Sequence, residues 1–260
     1  MIHTSRSLIV ANWKMHLNAH QASIYMHRLN KLVTTHRSIE VVIAPSLLTL
    51  QPLSLEIDHR KFKLASQNAF SEDVGPYTGE VSFTMLRDLV DYAIVGHSSR
   101  RISFNETLEV VRDKVAAAVR NKITPILCIG ESKPERVSGK TKQVIHDQLT
   151  TAISNLTSEE VRNIVIAYEP VWAISTFDGE VAKPDDIQKE LDYIRYQISE
   201  LFGADIASRV RLLYGGSVDK NNIASYLALD GCDGALVGGA SLNYTEFAEI
   251  IRKAYIVKHA

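Results

Sequence analysis

Four polar residues with complementary side chains interrupt otherwise apolar stretches of this chain: Asn12, Lys14, His97 and Glu169. Glu169 is the most informative. It ends the run Ile164-Val165-Ile166-Ala167-Tyr168, whose composition reads as a buried strand, and it precedes Pro170, which biases Glu169 towards extended geometry. A carboxylate in such a place is costly unless it is paired or hydrogen-bonded. The use that fits it is that of a general base. Asn12 and Lys14 follow the run Leu8–Ala11 and, two residues apart on an extended chain, project to one side. A lone lysine at a strand exit is ordinarily solvated, so Lys14 acquires meaning from its company. His97 follows Ala93–Val95 and precedes Ser98 and Ser99, residue types that open helices. Backbone N–H dipoles there would hold the imidazole neutral; the plainer alternative is a structural histidine with a backbone partner.

Two further runs end in paired glycines, Tyr214-Gly215-Gly216-Ser217 and Val237-Gly238-Gly239-Ala240-Ser241. Paired glycines let backbone approach a ligand closely, and the second pair leads towards a helix whose exposed N–H groups would attract an anion. The alternative is two tight turns. A base, a cation, a neutral donor and a phosphate cradle suit proton abstraction beside the carbonyl of a small phosphorylated substrate. Glu169 would take the proton, Lys14 would offset the charge of the enediolate and the phosphate, and His97 would polarise the carbonyl and relay protons.

The elements that must position these residues are legible as alternation. Strand-like runs occur at Leu8–Ala11, Val41–Ala44, Phe62–Ala65, Ala93–Val95, Ile126–Ile129, Val165–Tyr168, Val210–Tyr214 and Gly234–Val237. Amphipathic stretches separate them: Leu108, Val111, Val115 and Ala118 recur at helical spacing within Thr107–Asn121, as do Ile187, Leu191, Ile194, Ile198 and Leu201 within Pro184–Phe202. Strand–helix alternation repeated eight times, with strands apolar at nearly every position, predicts an α/β fold with an eight-stranded parallel β/α barrel, a TIM barrel, formed by residues 1–260 as one domain. The competing open doubly wound sheet would carry a glycine-rich turn after its first strand, where this chain has Asn12-Trp13-Lys14.

Composition narrows the function classes. Twenty-nine Lys and Arg against thirty Asp and Glu give a formal net charge of −1, without a basic block, which argues against nucleic acid or an anionic membrane as partner. The two cysteines, Cys128 and Cys232, make no disulfide framework, and no apolar run reaches the roughly 20 residues of a membrane span, so a cytoplasmic protein is expected. His16 and His20, four apart on an expected helix with His27 beyond, lack a His-Glu-x-x-His pattern and read as a solvated face, so no metal is expected.

Taken together the motifs resemble the triosephosphate isomerase family over nearly the whole chain. The matching segments are Ala11–Met15, Gln67-Asn68, Tyr77–Ser82, Val95–Ser98, Cys128–Glu131, Ala167–Ile174, Tyr214–Val218 and Leu236–Gly239, in the family's order. The resemblance implies interconversion of dihydroxyacetone phosphate and glyceraldehyde 3-phosphate without metal or organic cofactor. It implies that Asn12 and Lys14 touch substrate, that His97 is the electrophile and Glu169 the base, and that Ser175, Ser217, Gly238 and Gly239 bind phosphate through backbone N–H groups. A neutral histidine and a closing loop after Glu169 are reference features of that family and come with the resemblance. Glu131 and Tyr214 are then expected to support the closed loop, and the Gly75–Ser82 segment to be a dimer loop whose tip reaches the neighbouring subunit near its Lys14.

Two departures stand out. The family reads Gly-His-Ser-Glu-Arg-Arg where this chain has Gly96-His97-Ser98-Ser99-Arg100-Arg101, so a carboxylate near the active-site lysine is missing and reduced, not abolished, turnover is expected. In the lid, Ser175 replaces a glycine, the tip is about two residues longer and contains Phe177, Asp178 and Glu180, and the family's lid lysine has no counterpart. These changes raise a second reading, an isomerase of a four-carbon ketose phosphate. A phosphate-binding relic without activity is disfavoured by the retention of Asn12, Lys14, His97 and Glu169, and a Schiff-base aldolase by a glutamate where its lysine would stand.

Overall fold

The computed structural model describes residues 6–34, 36–174 and 181–259. Eight strands close into a parallel barrel in chain order: β1 (Ser7–Asn12), β2 (Ile39–Ala44), β3 (Phe62–Ser66), β4 (Tyr92–Val95), β5 (Thr124–Ile129), β6 (Val165–Tyr168), β7 (Arg211–Tyr214) and β8 (Gly234–Val237). The closing pair is β1 with β8, in register Leu8↔Gly234 to Ala11↔Val237. The expected barrel is present, each strand lying within about two residues of its expected bounds.

Strand parity sorts the core into two layers. Leu8, Val10, Val42, Ala44, Ala65, Ile94, Ile126, Cys128, Val165, Ala167, Leu213 and Leu236 form one buried cluster drawn from the strands, which fills the barrel. Their alternates, among them Ile9, Ala11, Val41, Ile43 and Ile166, pack outward with helix residues such as Leu29, Val115, Ile194 and Phe247. A strand repeats every two residues. The inward faces of β1, β6, β7 and β8 therefore lead, two residues past Val10, Ala167, Leu213 and Leu236, to Asn12, Glu169, Gly215 and Gly238. The opposite end of the barrel is closed by polar side chains that satisfy one another. Arg211 donates to a Glu40 carboxylate oxygen at 2.9 Å and to the Tyr92 hydroxyl at 2.8 Å, and Tyr92 donates to the other Glu40 oxygen at 2.9 Å.

The two expected helices form as Leu108–Arg120 and Pro184–Phe202. Thr107 caps the first by accepting the Val110 N–H. Pro184 opens the second, where its missing N–H costs nothing, with Asp185 and Asp186 in the first turn against the positive helix end. One expectation is corrected. His16 is not on a helix with His20, because Asn18 and Gln21 form a capping box that starts the helix at Ala19. His16 and His20 therefore do not share a helix face.

Phe247, on the helix Tyr244–His259, is fully buried between that helix and the barrel. Replacing it with alanine leaves a large cavity, and Phe247→Ala is expected to cost about 3–5 kcal/mol of unfolding free energy, read as a lower denaturation midpoint in urea.

Candidate active site

A cleft of about 340 Å³ opens at the carboxyl ends of the strands and is lined by Asn12, Lys14, His97, Glu169, Ser217, Gly238 and Gly239, together with Gly215, Gly216 and Asn222. Seven of the expected site residues thus meet in one place; Ser175 lies outside the described residues, as do Phe177, Asp178 and Glu180 of the expected lid.

Glu169 emerges from β6 almost completely buried. Its main chain is clamped between neighbours: the Glu169 N–H donates to the Ile129 carbonyl at 2.7 Å, and the Gly215 N–H donates to the Tyr168 carbonyl at 2.8 Å. Two close approaches require glycine. A Cβ on Gly130 would sit 1.9 Å from the Glu169 carbonyl oxygen, and one on Gly215 would sit 2.7 Å from Glu169 Cγ. The carboxylate accepts the Ser98 backbone N–H at 3.1 Å on Oε2. Its Oε1 lies 3.3 Å from His97 Nε2 yet lacks a hydrogen bond of good alignment. One oxygen is tethered and the other, beside His97, keeps unsatisfied accepting capacity.

His97 begins the helix Ser98–Ser103 as its N-cap, reached through Gly96 at φ +70°. Its Nδ1 accepts the Ser99 backbone N–H at 3.1 Å. An N–H can only donate, so Nδ1 carries the lone pair and a neutral ring carries its proton on Nε2, facing Glu169. Burial pushes the imidazole pKa down. Glu169 opposes that shift, and the positive charges of Lys14 and Arg100 reinforce it. Arg101 holds the strand end in place by donating to the carbonyls of Gly96 at 2.7 Å and Cys128 at 3.1 Å.

Lys14 adopts φ +52°, a left-handed conformation costly for a side-chain-bearing residue. Asn12 Oδ1 accepts the Lys14 N–H at 3.1 Å, and Gln67 Nε2 donates to the carbonyls of Lys14 at 2.8 Å and Ala44 at 2.9 Å. These bonds fix the strained turn that points the lysine into the cleft. Burial lowers the Lys14 pKa, and the Glu169 charge raises it in opposition. The ammonium is placed beside the glycine pair after β8, since a Cβ on Gly238 would lie 3.8 Å from Nζ.

The stems of the loop after Glu169 are pinned. Glu131, fully buried, accepts from Trp172 Nε1 at 2.8 Å, the Tyr168 hydroxyl at 3.0 Å and Arg136 at 3.3 Å. On the far stem the Tyr226 hydroxyl donates to the Ala182 carbonyl at 2.8 Å. The expected phosphate donor Ser217 is occupied in this state: its N–H and hydroxyl both donate to the Ala173 carbonyl, at 3.0 and 2.7 Å. The buried Tyr214 hydroxyl has no hydrogen-bond partner among the described residues. Asn222 and Tyr226 were not singled out in the sequence. Asn222 donates to the Ser217 carbonyl at 3.0 Å and supports that turn, with the Asp219 N–H donating to its Oδ1 as a local signal; nothing local in the sequence marks Tyr226, which acts on a separate loop.

Comparison with known proteins agrees with the geometry. The triosephosphate isomerase family model matches residues 7–254. The chain belongs to the triosephosphate isomerase family. Its similarity to individual members covers nearly the whole chain. It is 42% identical over 245 residues to triosephosphate isomerase of Clostridium perfringens, covering 94% of this chain and 98% of that one. It is 42% identical over 251 residues to that of Chloroherpeton thalassium (96% and 99%) and 41% over 248 residues to that of Dictyoglomus turgidum (95% and 99%). Family membership makes the chain an isomerase.

Gly215→Ala would press a methyl group against Glu169 Cγ and displace the carboxylate. A fall in kcat of about 10²-fold is expected from misplacement on the ångström scale, with the far-ultraviolet circular dichroism unchanged.

Proposed function

We propose that the chain interconverts dihydroxyacetone phosphate and D-glyceraldehyde 3-phosphate through an enediolate, with Glu169, His97 and Lys14 as the reacting constellation. The observation that carries this reading is the buried Glu169 carboxylate in van der Waals reach of a neutral imidazole, in a cleft that also holds an ammonium. Glu169 removes a proton from the carbon next to the carbonyl. The C–H electron pair becomes the carbon–carbon double bond and the carbonyl oxygen takes up negative charge. His97 donates from Nε2 to that oxygen, and Lys14 offsets the charge without needing to move a proton. His97 passes its proton to that oxygen and takes up the hydroxyl proton of the other; as Glu169 returns its proton to the neighbouring carbon, the second oxygen becomes the new carbonyl and the isomerisation is complete. Asn12 orients Lys14 and touches substrate. Ser217, Gly238 and Gly239 hold the phosphate, Ser217 after releasing Ala173, and Ser175 adds a further N–H. The chemistry uses side chains alone, with no cofactor or metal. The loop after Glu169 acts as a lid, with Glu131 and Tyr214 as its alternative anchors.

A homodimer is part of the same reading. Met15, Leu48, Val74, Met85 and Phe104 are apolar and more than three-fifths exposed, and they sit in the loops and first helices that follow the adjacent strands β1 to β4. Exposed apolar side chains gathered on one rim mark a protein contact. Tyr77, in the Gly75–Ser82 loop, packs on Phe70 with ring centroids 4.5 Å apart and stiffens the segment that would enter a second copy. We further infer one domain over residues 1–260, since β1 and β8 pair directly. A cytoplasmic location fits two buried free thiols and the absence, among the described residues, of a helix long and apolar enough to cross a membrane.

In a coupled assay with glyceraldehyde 3-phosphate, Glu169→Gln is expected to lower kcat by about 10²–10⁴-fold with little change in KM. A four-carbon ketose phosphate tested beside the three-carbon substrate should be turned over far more slowly; equal rates would favour the wider-substrate reading. Because burial lowers the Lys14 pKa, the alkaline limb of kcat/KM should fall below the ordinary lysine value of about 10.4, as the free enzyme loses the ammonium charge. Sedimentation equilibrium should give a dimer, and Tyr77→Asp should shift it to monomer with loss of activity.

A further inference from the structure

Ser99 stands where the sequence departs from its family, and its side chain is turned to the histidine. Its Oγ lies 2.8 Å from His97 Nδ1, the same nitrogen that accepts the Ser99 backbone N–H at 3.1 Å. We propose that the Ser99 hydroxyl is a positioning group for His97, donating a second hydrogen bond to Nδ1 that locks the imidazole in its neutral, Nε2–H form. The role of that form in catalysis rests on the isomerase reading above; the bond itself does not.

The direction of the hydroxyl bond follows from its neighbour. A serine hydroxyl can donate or accept, whereas a backbone N–H can only donate. With the N–H aimed at Nδ1, that nitrogen is unprotonated, so the hydroxyl hydrogen fills the gap between Oγ and Nδ1. One lone pair then receives two donors from one residue. Protonating Nδ1 would set N–H against the Ser99 N–H and force the hydroxyl to turn from donor to acceptor, so the pair of donors as arranged favours the neutral ring.

The surroundings make such a lock useful. The charged groups facing the ring are Glu169 at the end of β6, Lys14 after β1 and Arg100 one turn along the helix. Glu169, with Oε1 3.3 Å from Nε2, favours the protonated ring, and the two cations disfavour it. A carboxylate base next to an imidazole tends to take the ring into an ion pair, which would remove the base and the neutral donor together. The serine hydroxyl opposes that outcome at close range. A glutamate side chain, ionised, has no hydrogen to offer Nδ1.

The test uses the full-length protein labelled with ¹⁵N-histidine, comparing wild type, Ser99→Ala and Ser99→Thr. In long-range ¹H–¹⁵N correlation spectra without substrate, His97 Nδ1 of Ser99→Ala should move downfield, towards an unprotonated nitrogen with fewer donors. The acid limb of kcat should rise by about one pH unit, the equivalent of one hydrogen bond, so that kcat falls up to about tenfold there while KM changes little. Ser99→Thr keeps the hydroxyl and should retain both wild-type values. An unchanged Nδ1 shift and acid limb in Ser99→Ala would overturn the proposal, as would a threonine variant that behaves like alanine. Ser99→Gly removes the same oxygen and carries the comparison if the alanine variant does not fold. The spectral shift reports the bond in the free protein, so it stands or falls separately from the isomerase reading, which the Glu169→Gln assay decides.

Discussion

A carboxylate held out of water beside an imidazole is the constraint around which the rest of the molecule is arranged. Glu169 is 2% exposed, and one of its oxygens is tied to the first backbone N–H of the helix that His97 caps. The same helix start serves two groups: the Ser98 N–H holds the base and the Ser99 N–H holds the histidine. Two N–H groups that would otherwise be unpaired at a helix terminus thereby set both the position of the carboxylate and the tautomer of the imidazole.

The two ends of the barrel treat their buried carboxylates differently. Glu40, Tyr92 and Arg211 at the amino end close a cycle in which each group finds a partner, as expected of a part that contributes stability. At the carboxyl end, Glu169 Oε1, Ser98 Oγ and Tyr214 Oη lack hydrogen-bond partners among the described residues. Lys14 adds backbone strain there, held by Asn12 and Gln67. Unsatisfied acceptors and a strained turn cost stability, and they leave capacity for a ligand.

The fold was legible because strands buried on both faces write themselves as short apolar runs, and the helix bounds at Pro184 and Phe202 were legible because proline opens that helix and Gly203, at φ +86°, ends it. Parity carried the site as well: Asn12, Glu169, Gly215 and Gly238 are continuations of inward-facing positions. What stayed hidden depends on partners far along the chain. Gln67 braces a residue 53 positions away, and Tyr226 one 44 positions away. His16 falls outside the helix because the Asn18–Gln21 capping box opens it at Ala19, a signal that histidine spacing does not carry. The Ser217 N–H was expected to be available to phosphate, and its bond to Ala173 depends on where a loop lies, which composition does not encode.

In the proposed reaction a side-chain carboxylate moves hydrogen between neighbouring carbons as a proton, through an enediolate exposed to exchange at the base. The most direct measurement is the isomerisation run in heavy water, with the product analysed by ¹H nuclear magnetic resonance for deuterium bound to carbon. Proton transfer through Glu169 predicts deuterium at the carbon that receives the hydrogen. A product free of carbon-bound deuterium at full conversion in one pass would point to direct hydride transfer and contradict the role assigned to Glu169.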